Sequence, residues 1–312
     1  MSIARSLSHM GPESESHISA LIPVAQKVVF DPEEDRIAFV NETRWIPYPR
    51  AKEVLADLQD IYERPQSNRP PCRLVLGATN NGKTEILKRF VKTHPRVERP
   101  DGEGMLIPAM YVISPGKPDE MEFYESLLRA LGVPYNTTDP VRRRHDQFLR
   151  VAEEVGLRLL MVDEVHSILG GHRTKHKMFL NILKLMSGEL RIPIVCAGTK
   201  AAFFTMQSEP EVGNRFEPIV IPRWEFDDGF LSLLASFEEI LPLRLPSKLA
   251  EGHLAEKIFN RTEGRIGEVA KLLREAAKVA IRSKVERIDT RTLDAANFTP
   301  PQKRMELPNG IE

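Results

Sequence analysis

Apolar residues follow two different rhythms along this chain. In the first two thirds they gather in short, nearly continuous runs at residues 73–77 (RLVLG), 110–113, 157–162 (LRLLMV), 192–197 (IPIVCA) and 217–221. Such runs lack polar alternation, which predicts strands covered on both faces. Between them, apolar residues recur three and four positions apart. That spacing predicts helices over 84–91, 120–131, 139–154 and 175–187. A further helix is expected over 50–63, with Ala51, Val54, Leu55, Leu58 and Ile61 on one face. Alternating strands and helices give a parallel sheet flanked by helices, the α/β class.

After Trp224 the strand signal stops. Helical spacing continues over 228–240, 247–261, 265–282 and 289–296, and is clearest in the third, where Ile266, Val269, Ala270, Leu272, Leu273, Ala276, Ala277 and Ala280 line one face. A small all-α domain is therefore expected to follow the α/β domain. Residues 1–34 are polar with weak periodicity, and residues 299–312 are rich in proline and polar groups. The organisation expected is a flexible arm over 1–34, an α/β domain over 35–227, a helical lid over 228–298 and a flexible tail over 299–312.

Composition narrows the function classes. Lys plus Arg and Asp plus Glu are both 44 of the 312 residues, so nucleic-acid binding through bulk positive charge is excluded and any such binding must use a local patch. No apolar run approaches the roughly 18 residues needed to span a bilayer, and the first residues lack an apolar signal core. Cys72 and Cys196 are far apart with no metal-ligand spacing. A cytoplasmic protein is the expectation.

One stretch carries legible chemistry. Gly77-Ala78-Thr79-Asn80-Asn81-Gly82-Lys83-Thr84 matches the phosphate-loop pattern G-x-x-x-x-G-K-[ST], after an expected strand and before an expected helix. Glycine at 77 and 82 lets backbone approach a phosphate closely, and the loop amides with the helix N-terminus face an anion. Lys83 is expected on the β- and γ-phosphates of ATP, and Thr84 on Mg²⁺. Downstream, the apolar run ending Asp163-Glu164 places two carboxylates at a strand end, Asp163 for the metal and Glu164 for the attacking water. Thr199 closes a later strand, either near the γ-phosphate or as a helix cap. Arg215 precedes the last strand, where it could project into a neighbouring subunit's site, with Arg223 as the competing arginine. Arg265 opens the most amphipathic helix and could reach the nucleotide's phosphates. For contact with a DNA backbone the residues noted are Lys117 and the run Arg142-Arg143-Arg144-His145, whose three arginines cannot all point one way on a helix.

In this order the motifs resemble an AAA+ ATPase, a P-loop NTPase with a helical lid, and within that class the TniB/TnsC transposition regulators. Arg44-Trp45-Ile46-Pro47-Tyr48-Pro49-Arg50-Ala51, Leu160-Met161-Val162-Asp163-Glu164-Val165-His166 and Asn214-Arg215-Phe216-Glu217-Pro218 carry the resemblance with the phosphate loop, over roughly residues 35–296. It implies Lys83 and Thr84 on phosphates and Mg²⁺, Thr199 as first sensor, Arg215 as arginine finger, Arg265 as second sensor and Trp45, Ile46 and Tyr48 along the adenine. It also implies ATP-dependent homo-oligomeric rings or filaments on duplex DNA, bound without sequence preference. The implied partners are a DDE transposase of the TniA/TnsB kind and a targeting factor of the TniQ/TnsD kind. Two other readings share the loop: an AAA+ helicase loader or origin initiator, and a small-molecule kinase.

Overall fold

The computed structural model describes residues 11–165 and 173–305; His166 lies outside them. Two compact units result. One is continuous over Pro49–Pro222, and the other joins the chain up to Tyr48 with the chain from Arg223 onward.

The first unit is built on five parallel strands: β1 (Cys72–Gly77), β4 (Ala109–Ile113), β5 (Leu159–Asp163), β6 (Ile194–Gly198) and β7 (Phe216–Ile221). Their order across the sheet is β4-β5-β6-β1-β7. The central strands β5 and β6 are buried at every position, which is why their sequences read as unbroken apolar runs. A short antiparallel pair, β2 (Val97–Glu98) and β3 (Met105–Leu106), stands apart. Around the sheet run α4 (Pro49–Glu63), α5 (Lys83–Thr93), α6 (Glu120–Leu131), α7 (Val141–Glu154), α8 (Arg173–Leu190), α9 (Lys200–Gln207) and α10 (Pro210–Gly213). Helix α6 starts where the Asp119 side chain accepts the Glu122 amide and stops at Gly132 in the left-handed region. The core beneath α6 to α8 includes Phe123, Leu127, Phe148, Leu160, Phe179 and Leu183.

The second unit is all-α: α1 (Pro12–Ala20), α2 (Pro23–Val28) and α3 (Glu33–Asn41), then α11 (Asp228–Glu238), α12 (Gly252–Thr262), α13 (Ile266–Arg282) and α14 (Thr290–Asp294). Helix α14 opens with a reciprocal capping box between Asp289 and Thr292. Leu272, Ala276, Ala277 and Ala280 of α13 pack with Phe230, Leu234, Ile258 and Val40.

Three expectations are corrected. The described part of 1–34 is not a loose arm but helical, and 35–48 groups with the helical unit rather than the α/β domain. Its apolar residues, Ile18, Leu21, Ala25 and Val29, do recur at helical spacing, but Pro23 cuts the run into short helices whose other faces are polar. They close a small core with Phe39. The Pro-rich tail is likewise held as far as it is described. Residues Gln302–Met305 form a 3₁₀ turn, and both terminal nitrogens of Arg304 bond the Glu268 carboxylate of α13, at 2.8 and 2.6 Å.

Candidate nucleotide site

The carboxyl edge of the sheet gathers the expected chemistry. The register pairs Leu76 of β1 with Gly198 of β6, and Val162 of β5 with Cys196 of β6. The next residues along these strands, Gly77, Thr199 and Asp163, therefore stand at the carboxyl ends of three neighbouring strands. This is where ligands bind on open α/β sheets.

The loop from Gly77 to Thr84 takes a backbone course that favours glycine at two positions. A Cβ at Gly77 would stand 3.1 Å from the Ile221 carbonyl oxygen. Gly82 adopts φ 85° as it caps α5, and Asn80 takes φ 59°, a region asparagine tolerates better than most residues. Asn81 is buried, and its amide nitrogen donates to the carbonyls of Ile221 at 3.0 Å and Pro222 at 2.7 Å, which pins the loop to the end of β7. Ala78 and Thr79 fill the turn between.

Lys83 is only 5% exposed. Its ammonium donates to the carbonyls of Gly77 at 3.1 Å and Ala78 at 2.9 Å. Burial lowers its pKa, while the nearby charges of Glu164 and Asp163 act the other way. A buried cation whose own hydrogen bonds reach only neutral carbonyls suits a phosphate, which would bring it a full negative charge.

Asp163 is fully buried at the end of β5. Its Oδ2 accepts the Thr84 hydroxyl at 2.6 Å and the Tyr111 hydroxyl at 3.0 Å, and its Oδ1 accepts the Glu164 amide at 2.8 Å. Thr84 and Asp163 thus offer an all-oxygen set that fits a hard divalent cation. Glu164 is a non-glycine residue at φ 57°, a backbone cost of order 1 kcal/mol of the kind that gathers at functional positions. Tyr111 escaped the sequence reading. The one local signal was a phenol in an otherwise apolar run, since a half-buried tyrosine hydroxyl needs a partner.

Thr199 stands at the N-cap of α9, yet its side chain makes no cap hydrogen bond. Arg215 is remote from the phosphate loop of its own chain. β7 pairs Phe216 with Cys72 at one end and Ile221 with Gly77 at the other, so strand length alone separates them by about 17 Å. Its guanidinium donates to the Lys184 carbonyl at 2.6 Å in an open groove of about 710 Å³ that Asn68, Arg69 and Asn214 also line.

Arg265, Trp45, Ile46 and Tyr48 belong to the helical unit. Arg265 caps α13 and pairs with Glu263 at 2.8 Å. Arg223, the competing arginine, lies 3.7 Å from the same carboxylate. Ile46 is buried in the helical core, and Tyr48 packs edge-on to Trp224 with ring centroids 5.3 Å apart. Among the basic residues, Lys117 is exposed in the turn after β4 and Arg142 is exposed on α7. Arg143 pairs with Asp139 at 3.2 Å, and Arg144 is fully buried against Glu125 and the carbonyls of Asn136 and Thr137.

Fold and site together define a P-loop ATPase of the AAA+ class. Solved structures support this at the level of fold. ORC2 of Aeropyrum pernix, with ADPNP and ADP, superposes with a TM-score of 0.63 at 17% identity, covering 86% of this chain and 74% of that one. Cdc6p of Pyrobaculum aerophilum gives 0.55 at 16% identity, over 80% and 67%. ORC1 of A. pernix in complex with DNA gives 0.56 at 17% identity, over 83% and 68%. No curated protein matches the chain. A family model of the bacterial TniB protein matches residues 36–226, and the chain belongs to that transposition family. Among the described residues no helix is long and apolar enough to cross a membrane.

Proposed function

We propose that the protein is an ATP-hydrolysing, DNA-binding regulator of transposition. ATP binds at the phosphate loop, subunits assemble as a ring or filament on target duplex DNA, and the assembly recruits a DDE transposase and a targeting factor. Hydrolysis takes it apart. The observation that carries this reading is a division within the site. Lys83, Thr84, Asp163 and Glu164 sit at one edge of the sheet, while Arg215 sits at the other edge of the same chain. A head-to-tail neighbour could bring its Arg215 to this edge, and a heterologous contact of that kind closes into a ring or runs on as a filament.

Hydrolysis then follows from the residues present. Lys83 and the loop amides hold the β- and γ-phosphates. Glu164 orients a water and takes its proton as the water oxygen bonds to the γ-phosphorus. The bond from that phosphorus to the β–γ bridging oxygen breaks, leaving ADP and phosphate. Thr199 would touch the γ-phosphate or the water, and the neighbour's Arg215 would neutralise the charge that develops. Mg²⁺, when held by Thr84 and Asp163, supplies further neutralisation of the phosphate oxygens. Lys117, Arg142 and Arg143 are the proposed contacts to DNA phosphates. Each phosphate neutralised would steepen the fall of log affinity with log salt by about 0.9.

Glu164→Gln tests the proposal. The variant should bind ATP and remain on duplex DNA, visible as rings or filaments by electron microscopy, while turnover falls by about 10²- to 10⁴-fold. Turnover at the normal rate would refute the role of Glu164. Indifference to duplex DNA whichever nucleotide is supplied would remove the DNA-bound assembly.

A further inference from the structure

We propose that Tyr111 is a positioning residue for Asp163, fixing from the neighbouring strand the carboxylate that holds the metal. The inference rests on the nucleotide reading above and adds to it a residue that reading does not need.

Asp163 is held from three sides. The Glu164 amide fixes Oδ1, and Oδ2 takes the Thr84 and Tyr111 hydroxyls. Of the two hydroxyls on Oδ2, that of Thr84 has other work as a proposed metal ligand. The Tyr111 hydroxyl has none, so it is free to serve as a fixed stop for the carboxylate.

Strand geometry explains why a tyrosine is suited to this. Tyr111 lies opposite Met161, and Ile113 lies opposite Asp163. The phenol therefore crosses a diagonal between neighbouring strands, a span of about 7–8 Å that aromatic side chains can bridge. The Lys88 ammonium stands 5.7 Å from the centroid of its ring, one helical turn beyond Thr84 on α5. The ring thus sits between the helix that carries Thr84 and the strand that carries Asp163. β4 also grips Asp163 through its main chain, because the Ser114 amide donates to the Asp163 carbonyl at 2.8 Å. A tyrosine needed only as packing would do as well as phenylalanine, and that difference is measurable.

The test is Tyr111→Phe in the full chain, with a fluorescent ATP analogue titrated in EDTA and then across Mg²⁺ concentrations. Affinity in EDTA should match the unaltered protein, as should the thermal midpoint without nucleotide. The Mg²⁺ concentration giving half the metal-dependent gain in affinity should rise about tenfold, the scale expected when an outer-shell partner of a metal ligand is lost. In an Asp163→Asn background the same substitution should add nothing. Unchanged Mg²⁺ dependence would overturn the proposal, and so would an equal loss with and without metal or an additive effect in the Asp163→Asn background. Should the unaltered protein show no metal-dependent nucleotide binding, the nucleotide reading itself fails and takes this inference with it.

Discussion

Two buried cations, one in each unit, are held in opposite ways. In the helical unit, Arg36 is 2% exposed. Its guanidinium donates to both carboxylate oxygens of Glu286 and to the Pro242 carbonyl. The converse case is Glu268, a buried carboxylate that the exposed Arg304 answers with both terminal nitrogens. In the α/β unit, Lys83 is about as buried, but its bonds end on the carbonyls of Gly77 and Ala78. The first arrangement is complete within the chain and stabilises the fold. The second leaves a desolvated charge with its strongest partner still to come, which is what a binding site for an anion requires. Burial alone does not tell a structural ion from a functional one. What the charge is bonded to does.

A pair of substitutions can break that distinction. Arg36→Ala should destabilise the protein by about 3 kcal/mol, because Glu286 is left as a poorly solvated charge with, among the described residues, only Arg244, 3.9 Å away, to answer it. It should leave nucleotide affinity unchanged. Lys83→Ala should move the stability of the nucleotide-free protein by less than about 1 kcal/mol, since two bonds to carbonyls are exchanged for relief from burying an ammonium. Its nucleotide affinity should fall at least about a hundredfold. Denaturant unfolding and nucleotide binding on both variants decide the matter. Equal losses of stability in the two would mean that Lys83 is as structural as Arg36.

The strands were legible because buried parallel strands are apolar throughout, and the phosphate loop because its glycines and lysine are demanded by backbone angle and charge. The Asp163-Glu164 pair could be read once a strand was placed before it. Three things resisted. The first helices hid behind polar faces, with Ile18, Leu21, Ala25 and Val29 spread over two short elements that Pro23 separates. Arg304 looked like part of a loose tail because its partner Glu268 lies far away in sequence. Tyr111 could not be assigned because its bond to Asp163 depends on which strands are neighbours, and no local pattern records that β4 lies beside β5. In the arginine run the geometric argument foresaw a split, and burial of Arg144 beside exposed Arg142 and Arg143 is that split.

A last, smaller test asks whether the pattern of partners or the unit itself sets the behaviour of a charge. His145 lies in the α/β unit but is paired with carboxylates, as Arg36 is. Its Nε2 is 2.9 Å from Glu189 of α8, its Nδ1 is 3.1 Å from Asp146, and its ring stands edge-on to Tyr124. Only the doubly protonated ring can donate to both carboxylates. Burial works against that charge, yet hydrogen bonds and attraction from Asp146 and Glu189 outweigh it, and the pKa lies above its ordinary 6.5. A histidine whose folded pKa is raised adds stability that is fully present below the unfolded value and disappears as pH climbs through the folded one. Unfolding free energy should therefore decline by about 0.5 kcal/mol between roughly pH 6 and pH 8, a small step because the pair is partly solvated. His145→Gln should remove the step without touching nucleotide affinity. A step of the same size in the variant would assign it to another group, and His145 would then no longer count as a charge satisfied within its own chain.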